Sequence, residues 1–283
     1  MLYASLWALA LLCSPTRAAE LHRMEQIGIA AFPEGVQVIA EPEWRIPLYK
    51  EAEGSGLAHA LTAANFGSVA AHVDLTPSFA RVGPVFRLAP IAIWDLTVGA
   101  YGAWYFGTFS SLLALDDPGI VADRDWKREA VASGERQGGG GVQAYVSTRL
   151  KAKAGPVIAI AEATVQRNDM FSYRKDLVWY WDPTDQINAP AHGWIIRRAG
   201  YLFAEVLKPQ TPTDRKLWIG PMLNWVSNSA TADANIRLGP VLLWKPTAAE
   251  EMPTFMLGSQ VWLKSRFHDT WPPYTFLAIR WEH

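Results

Sequence analysis

The chain has 283 residues, of which 50% are hydrophobic and 19% charged, with a mean hydropathy of only +0.01. No run of about 18 uncharged apolar residues follows the amino terminus, which argues against a helical membrane protein, and a formal net charge of −1 gives no electrostatic case for nucleic acid. Tryptophan is in excess, at 14 residues, a composition expected where indole rings sit between apolar and wet surroundings.

Residues 1–19, MLYASLWALALLCSPTRAA, read as a secretory signal peptide, an apolar core closed by Pro15 and then by small residues, cut after Ala18 or Ala19. The usual basic residue at its start is missing. Cys13, the single cysteine, lies inside it, and Leu12 stands where a lipid-attachment site has a small residue. Removal of the segment would leave no thiol, disulfide or cysteine metal ligand. Residues 20–55 read as an amino-terminal segment leading into a barrel domain over 56–283.

From Val69 onward the hydrophobic period is close to two. Val69 to Leu75 and Ala80 to Leu88 each alternate, with a change of parity at Pro77 and Ser78 that is either a turn or a bulge. Trp94 and Trp104 bracket a small, apolar face formed by Leu96, Val98, Ala100 and Gly102. Ten positions is an even number, so both rings share one side of a strand. At about 3.3 Å per residue and a tilt of roughly 40° they stand about 25 Å apart in height, the thickness of an apolar band crossed by strands.

Val142 to Ala154 and Val157 to Asn168 separate apolar from polar residues by parity across an Ala-Gly-Pro turn. Further alternating segments carry Trp225, then Trp244, then Leu257 and Val261, and finally Trp271, Leu277, Ile279 and Trp281. Brief connections near Ala89 and Pro90, Gly155, Gln210 to Asp214 and Pro246 to Pro253 alternate with longer or more polar ones at Gly107 to Gly140, Trp181 to Gly193 and Ser227 to Thr231. The pattern predicts an all-β fold: an antiparallel up-and-down transmembrane β-barrel of 10 to 12 strands, with both termini at the end of the short turns.

Residue types decide which face is wet. A soluble barrel would crowd its outer face with Lys, Glu and Asp, whereas the polar face here is rich in Gly, Ser, Thr, Asn, Gln and Tyr. The arrangement resembles the outer-membrane β-barrel proteins of Gram-negative bacteria over roughly Val69 to His283. That resemblance implies outer-membrane lipid as a neighbour and interface roles for Trp94, Trp104, Trp225, Trp244, Trp271 and Trp281. Such chains usually end in an aromatic residue, and here the last aromatic, Trp281, comes two places early.

The polar face carries Arg81, Arg87, Asp95, Arg149, Lys151, Lys153, Glu162, Arg237, Lys264, Arg266 and Arg280, nine basic groups to two acidic. Lining a lumen, such a surplus would favour small anionic solutes. Candidate chemistry is sparse. His268 and Asp269 with Asp182 and Asp185 could form a rim site like that of the omptin proteases, and His72, Asp74, Thr76 and Ser78 could form a nucleophilic set for acyl hydrolysis. Asp116, Asp117, Asp123 and Asp125 offer oxygen ligands, although no two histidines fall at metal-ligand spacing. The glycine run Gly138 to Gly141 leads into a strand and lacks the helix that a phosphate loop needs. The function expected is therefore a non-enzymatic outer-membrane barrel, a narrow pore with anion bias or a structural and surface-interaction protein, needing no cofactor. A rim-located hydrolase and a soluble periplasmic barrel that binds a small apolar ligand are the alternatives.

Overall fold

The computed structural model describes residues 20–31, 35–50, 57–62, 65–107, 113–120, 129, 138–172, 177–207, 211, 214–231, 233–247, 252–268 and 273–282. The signal-peptide reading, Cys13, Asp123, Asp125, Asp269 and Trp271 lie outside them. In chain order the strands are β1 (Glu20–Ala31), β2 (Gly35–Ile46), β3 (Phe66–Leu75), β4 (Phe79–Ile91), β5 (Trp94–Tyr105), β6 (Ala114–Leu115), β7 (Gly139–Ala154) and β8 (Val157–Ser172). They continue with β9 (Trp179–Asp182), β10 (Ile187–Pro190), β11 (His192–Leu207), β12 (Lys216–Asn228), β13 (Ala234–Lys245), β14 (Thr254–Lys264) and β15 (Tyr274–Glu282). One short helix, α1 (Leu57–Thr62), precedes β3.

Twelve of these strands form a closed antiparallel barrel in which sequence neighbours are also spatial neighbours, and β1 closes on β15 through pairs such as Ile27 with Ile279. The upper strand count therefore holds. The parity change at Pro77 and Ser78 is a tight turn, in which the Thr76 hydroxyl accepts the Phe79 N–H at 2.9 Å. The amino-terminal boundary needs correction: within the segment set aside as 20–55, β1 and β2 already belong to the barrel wall. β2 conceals itself because Glu41, Pro42 and Glu43 look like loop residues, although Val36, Val38, Trp44 and Ile46 alternate against Gln37, Glu41, Glu43 and Arg45.

Burial follows parity all round the wall. Outward positions are mostly apolar and exposed, with Ile27, Val69, Phe86, Val98, Val146, Val165, Leu202, Leu223, Leu238 and Leu257 among them, and the outward charges Arg167 and Arg198 lie over the rings of Trp194 and Trp225. Large outward rings gather near the strand ends. Trp104, Phe171, Trp194 and Trp225 stand at the end bearing the two longest loops, and Trp44, Trp244 and Trp281 at the end with the termini. Trp94, at the foot of β5, donates its indole N–H to the Thr148 hydroxyl at 2.9 Å.

Three Gly-Pro steps sit inside strands: Gly83-Pro84, Gly220-Pro221 and Gly239-Pro240. Proline has no N–H to give to a ladder. Pairing accordingly continues on one side, Pro84 with Ala71 and Pro221 with Pro240, and is interrupted on the other. The β4–β5 register, for instance, passes from Val82 with Gly102 directly to Val85 with Gly99. The glycine permits close approach, since a Cβ at Gly83, Gly220 or Gly239 would meet the carbonyl oxygen of Ala100, Leu202 or Ser259. Each step thus interrupts pairing on one side while the barrel stays closed.

The remaining strands form a three-stranded sheet in the order β10-β9-β6, built from the two longest loops. Its residues bury against the inner ends of the wall. Tyr180, Ile187 and Ala189 are fully buried, in one cluster with Phe79, Tyr105, Met170, Ile195 and Val226 of the barrel. This sheet is a cap over the lumen.

The capped lumen as candidate functional site

Beneath the cap the interior has two unlike sides. The wall from β2 to β7 is polar. Glu43 accepts hydrogen bonds from Arg45 at 2.9 and 2.7 Å and from the Ser68 hydroxyl at 2.5 Å. Arg87 reaches from β4 to both carboxylates of β2, pairing with Glu41 and lying 3.0 Å from Glu43. His72 Nδ1 is 2.7 Å from the other oxygen of Glu41 and its ring stacks on Tyr101, whose hydroxyl donates to that of Tyr145 at 2.6 Å. Two buried carboxylates can sit side by side because one guanidinium satisfies both. The wall from β11 to β15 instead turns Tyr201, Phe203, Trp218, Met222, Val241, Leu243, Met256, Trp262 and Phe276 inward.

The cap is locked to the wall by the upper polar residues. Arg197 forms a forked pair with Asp185 at 2.7 and 2.5 Å and donates to Gln166 at 2.8 Å. Arg81 lies 3.8 Å from Asp74 and donates to the hydroxyls of Tyr105 and Thr184 at 3.0 and 2.9 Å. At the β9–β10 tip Gln186 adopts φ 56°, a left-handed conformation that a side chain disfavours. Asn235 holds that tip by donating to the carbonyls of Asp185 and Gln186 at 3.0 and 2.5 Å. Asp182 accepts the N–H groups of Thr184 and Asp185 at 2.8 and 3.2 Å. Burial, followed by the neighbouring Asp185 carboxylate, pushes its carboxyl above the usual carboxylate range.

The basic residues of the polar face prove to be matched. Lys151 lies 2.7 Å from Asp95, Arg149 2.9 Å from Glu162, and Lys153 3.9 Å from Glu205. Among the described residues Arg237 has no carboxylate at ion-pair distance; it packs on the rings of Trp262 and Tyr274, near the Tyr274 hydroxyl, with the Asp185 charge acting from farther off. Three expected lining residues lie elsewhere. Lys264 is exposed at the end of β14, and Arg266 lies past that end, where it grips Asp233 at 2.6 Å and the carbonyl of Gly119. Arg280 sits at the foot of β15 beside Glu282 at 2.5 Å. The apparent excess of positive charge disappears because Glu41, Glu43, Asp74, Asp185 and Glu205 face those cations. The alternation of β2 is the one sequence signal that could have exposed the first two.

The candidate chemical sets are dispersed. His72 is engaged with Glu41, Asp74 with Arg81 and the Gln37 amide, and Thr76 with its own turn. Asp182 and Asp185 are buried in the cap, and His268 stacks on Trp262 with ring centroids 4.4 Å apart. Asp117 accepts the Gly119 N–H at 2.6 Å in a local turn. Among the described residues no three His, Cys, Asp or Glu side chains converge as a metal site. Gly139 to Gly141 are paired residues of β7.

The fold and site define an antiparallel barrel of twelve strands whose lumen is charge-matched on one side, apolar on the other, and closed over by its own loops. A similar solved structure is the crystal structure of the beta domain of the Bordetella autotransporter BrkA. It is 11% identical, with a TM-score of 0.41, and the match covers 94% of this chain and 99% of that one. No protein-family model and no curated protein matches the sequence.

Proposed function

We propose that this chain is an outer-membrane barrel, exported through residues 1–19, that contacts lipid along its outward face and is closed from above by its cap. It acts as a structural or surface-interaction protein. The observation that carries the reading is inverted polarity: the outward face is predominantly apolar and edged with aromatic rings, its charges Arg23, Glu25, Arg167, Asp169 and Arg198 lying near those rings or the strand ends, while Glu41, Glu43, Arg87 and Arg197 are turned inward. In water such a surface would aggregate, and in lipid it is the solvated one. An anion-selective pore loses its basis here, because nearly every lumen cation has a carboxylate beside it and the cap obstructs the lumen at the outer end.

Single-channel recording on barrel shown to be folded by heat-modifiable gel migration tests this. The expected result is no steady conductance in the wild type and intermittent openings in an Arg197→Ala, Asp185→Ala double variant that unclasps the cap. Steady, anion-selective conductance in the wild type would overturn the closed-barrel reading.

A further inference from the structure

Beside the cap the outer half of the lumen keeps a cavity of about 530 Å³, within the roughly 300–1,000 Å³ typical of sites for small organic ligands. Its body is apolar and adaptable, formed by Met222, Met256, Phe276 and Tyr274, and thioether side chains accommodate varied shapes. Gly35, the Thr76 to Ser78 turn and the cap residues Pro183 and Thr184 also line it, so it reaches the loop-bearing end of the barrel. One charged group faces it. Arg237 lies 4.3 Å from the Tyr274 ring centroid and 5.0 Å from that of Trp262.

Among the described residues no carboxylate lies at ion-pair distance from Arg237, whereas Arg81, Arg87, Arg149, Arg197 and Arg266 each have one. A sheltered cation with no carboxylate in contact is costly, and although the Tyr274 hydroxyl and, from farther off, the Asp185 charge act on Arg237, its five N–H donors exceed what those neighbours use. The nearby amides do not compete for it. Gln260 donates to the Met222 carbonyl at 3.0 Å and accepts from Asn224 at 3.1 Å, so both are already engaged.

We propose that this cavity binds a small amphipathic carboxylate from the external side, its apolar body against the methionines and Phe276 and its carboxylate paired with Arg237. The inference goes beyond the closed-barrel reading and does not depend on it. Conductance would sink that reading and leave the binding result standing.

The test is calorimetric titration of the full chain in lipid nanodiscs with 2-naphthoate, against empty nanodiscs and with neutral 2-naphthylmethanol as the matched probe. Saturable naphthoate binding is expected, weakened about tenfold to hundredfold in Arg237→Gln with the neutral probe unaffected, since a hydrogen-bonded charge pair is lost. Gly28 also lines the cavity and a Cβ there meets nothing closer than 3.9 Å, so Gly28→Leu intrudes on the space and weakens binding of both probes. It also serves if the Arg237 variant fails to fold. Naphthoate binding that is absent in the wild type, unchanged in Arg237→Gln, or unchanged in Gly28→Leu overturns the proposal, as does equal weakening of both probes in Arg237→Gln.

Discussion

Arg87 is the side chain on which the polar half of the lumen depends. It alone bridges Glu41 and Glu43, carboxylates whose side chains are only 4% and 5% exposed. Removing one member of a buried ionic group strands the others, at a cost of about 3–5 kcal/mol, whereas neutralising the whole group is far milder. Arg87→Met is therefore expected to lower barrel stability by up to that amount in urea titrations followed by tryptophan fluorescence, since Glu41 keeps His72 and Glu43 keeps Arg45. Adding Glu41→Gln and Glu43→Gln to it restores most of the loss. A second residue-scale prediction concerns Gly99, which lies opposite Tyr145 on β7 so that the ring covers the bare backbone. A methyl group there displaces the ring from its hydrogen bond to Tyr101. Gly99→Ala should cost about 1–3 kcal/mol by the same titration, as overpacking does in closed interiors.

The cap is where the elements depart furthest from what the sequence suggests. Wall strands such as β7 and β8 are legible because each carries its own two-residue period, and the turn between them is marked by Gly155 at φ +58°. The cap strands carry no such signal. β9 reads Trp-Tyr-Trp-Asp and three of those four residues are buried, because it is the central strand, paired with β10 along one edge and β6 along the other, and packs on the wall. Its partners Leu113 and Ala114 come from more than sixty positions earlier, a relation no local pattern records. The same distance hides the ion pairs: Arg87 and Glu41 are 46 residues apart, and each looks like an ordinary solvated charge in its own segment.

The cap also carries a pH dependence. With its pKa raised by burial and by Asp185, Asp182 keeps its proton in the folded cap at pH values where the loosened cap has lost it. Its contribution to cap stability is thus fully present below the ordinary carboxyl pKa of about 3.9 and is lost as pH rises through the raised value. Asp182→Asn keeps the oxygen that accepts the Thr184 and Asp185 N–H groups but cannot ionise. Hydrogen exchange of β9 and β10 should show protection declining from acid toward neutral pH in the wild type and a flatter profile in the variant. Asp182→Ala, which also loses those acceptors, costs about 1–3 kcal/mol at any pH.

At the scale of the whole molecule, the question is which solvent the outward face was built for, and depth resolves it. Ala100 faces outward near mid-height on β5, four positions from Trp104 and six from Trp94, while Ala80 faces outward beside Trp104 at the loop-bearing rim. Neither side chain has a polar neighbour to lose, so an arginine at either position reports mainly on its surroundings. In a bilayer the charge at Ala100 must be dragged toward a headgroup, at about 2–4 kcal/mol, whereas at Ala80 it already lies at the interface and costs about 0–1 kcal/mol. In a soluble barrel both positions are ordinary surface sites, and both variants stay within about 0.5 kcal/mol of wild type. Ala100→Arg and Ala80→Arg, unfolded by urea from lipid vesicles, should therefore separate by about 1–4 kcal/mol in the bilayer case. Equal and negligible costs would point to the soluble barrel instead, since a lipid-facing wall cannot hold an arginine at mid-height without penalty.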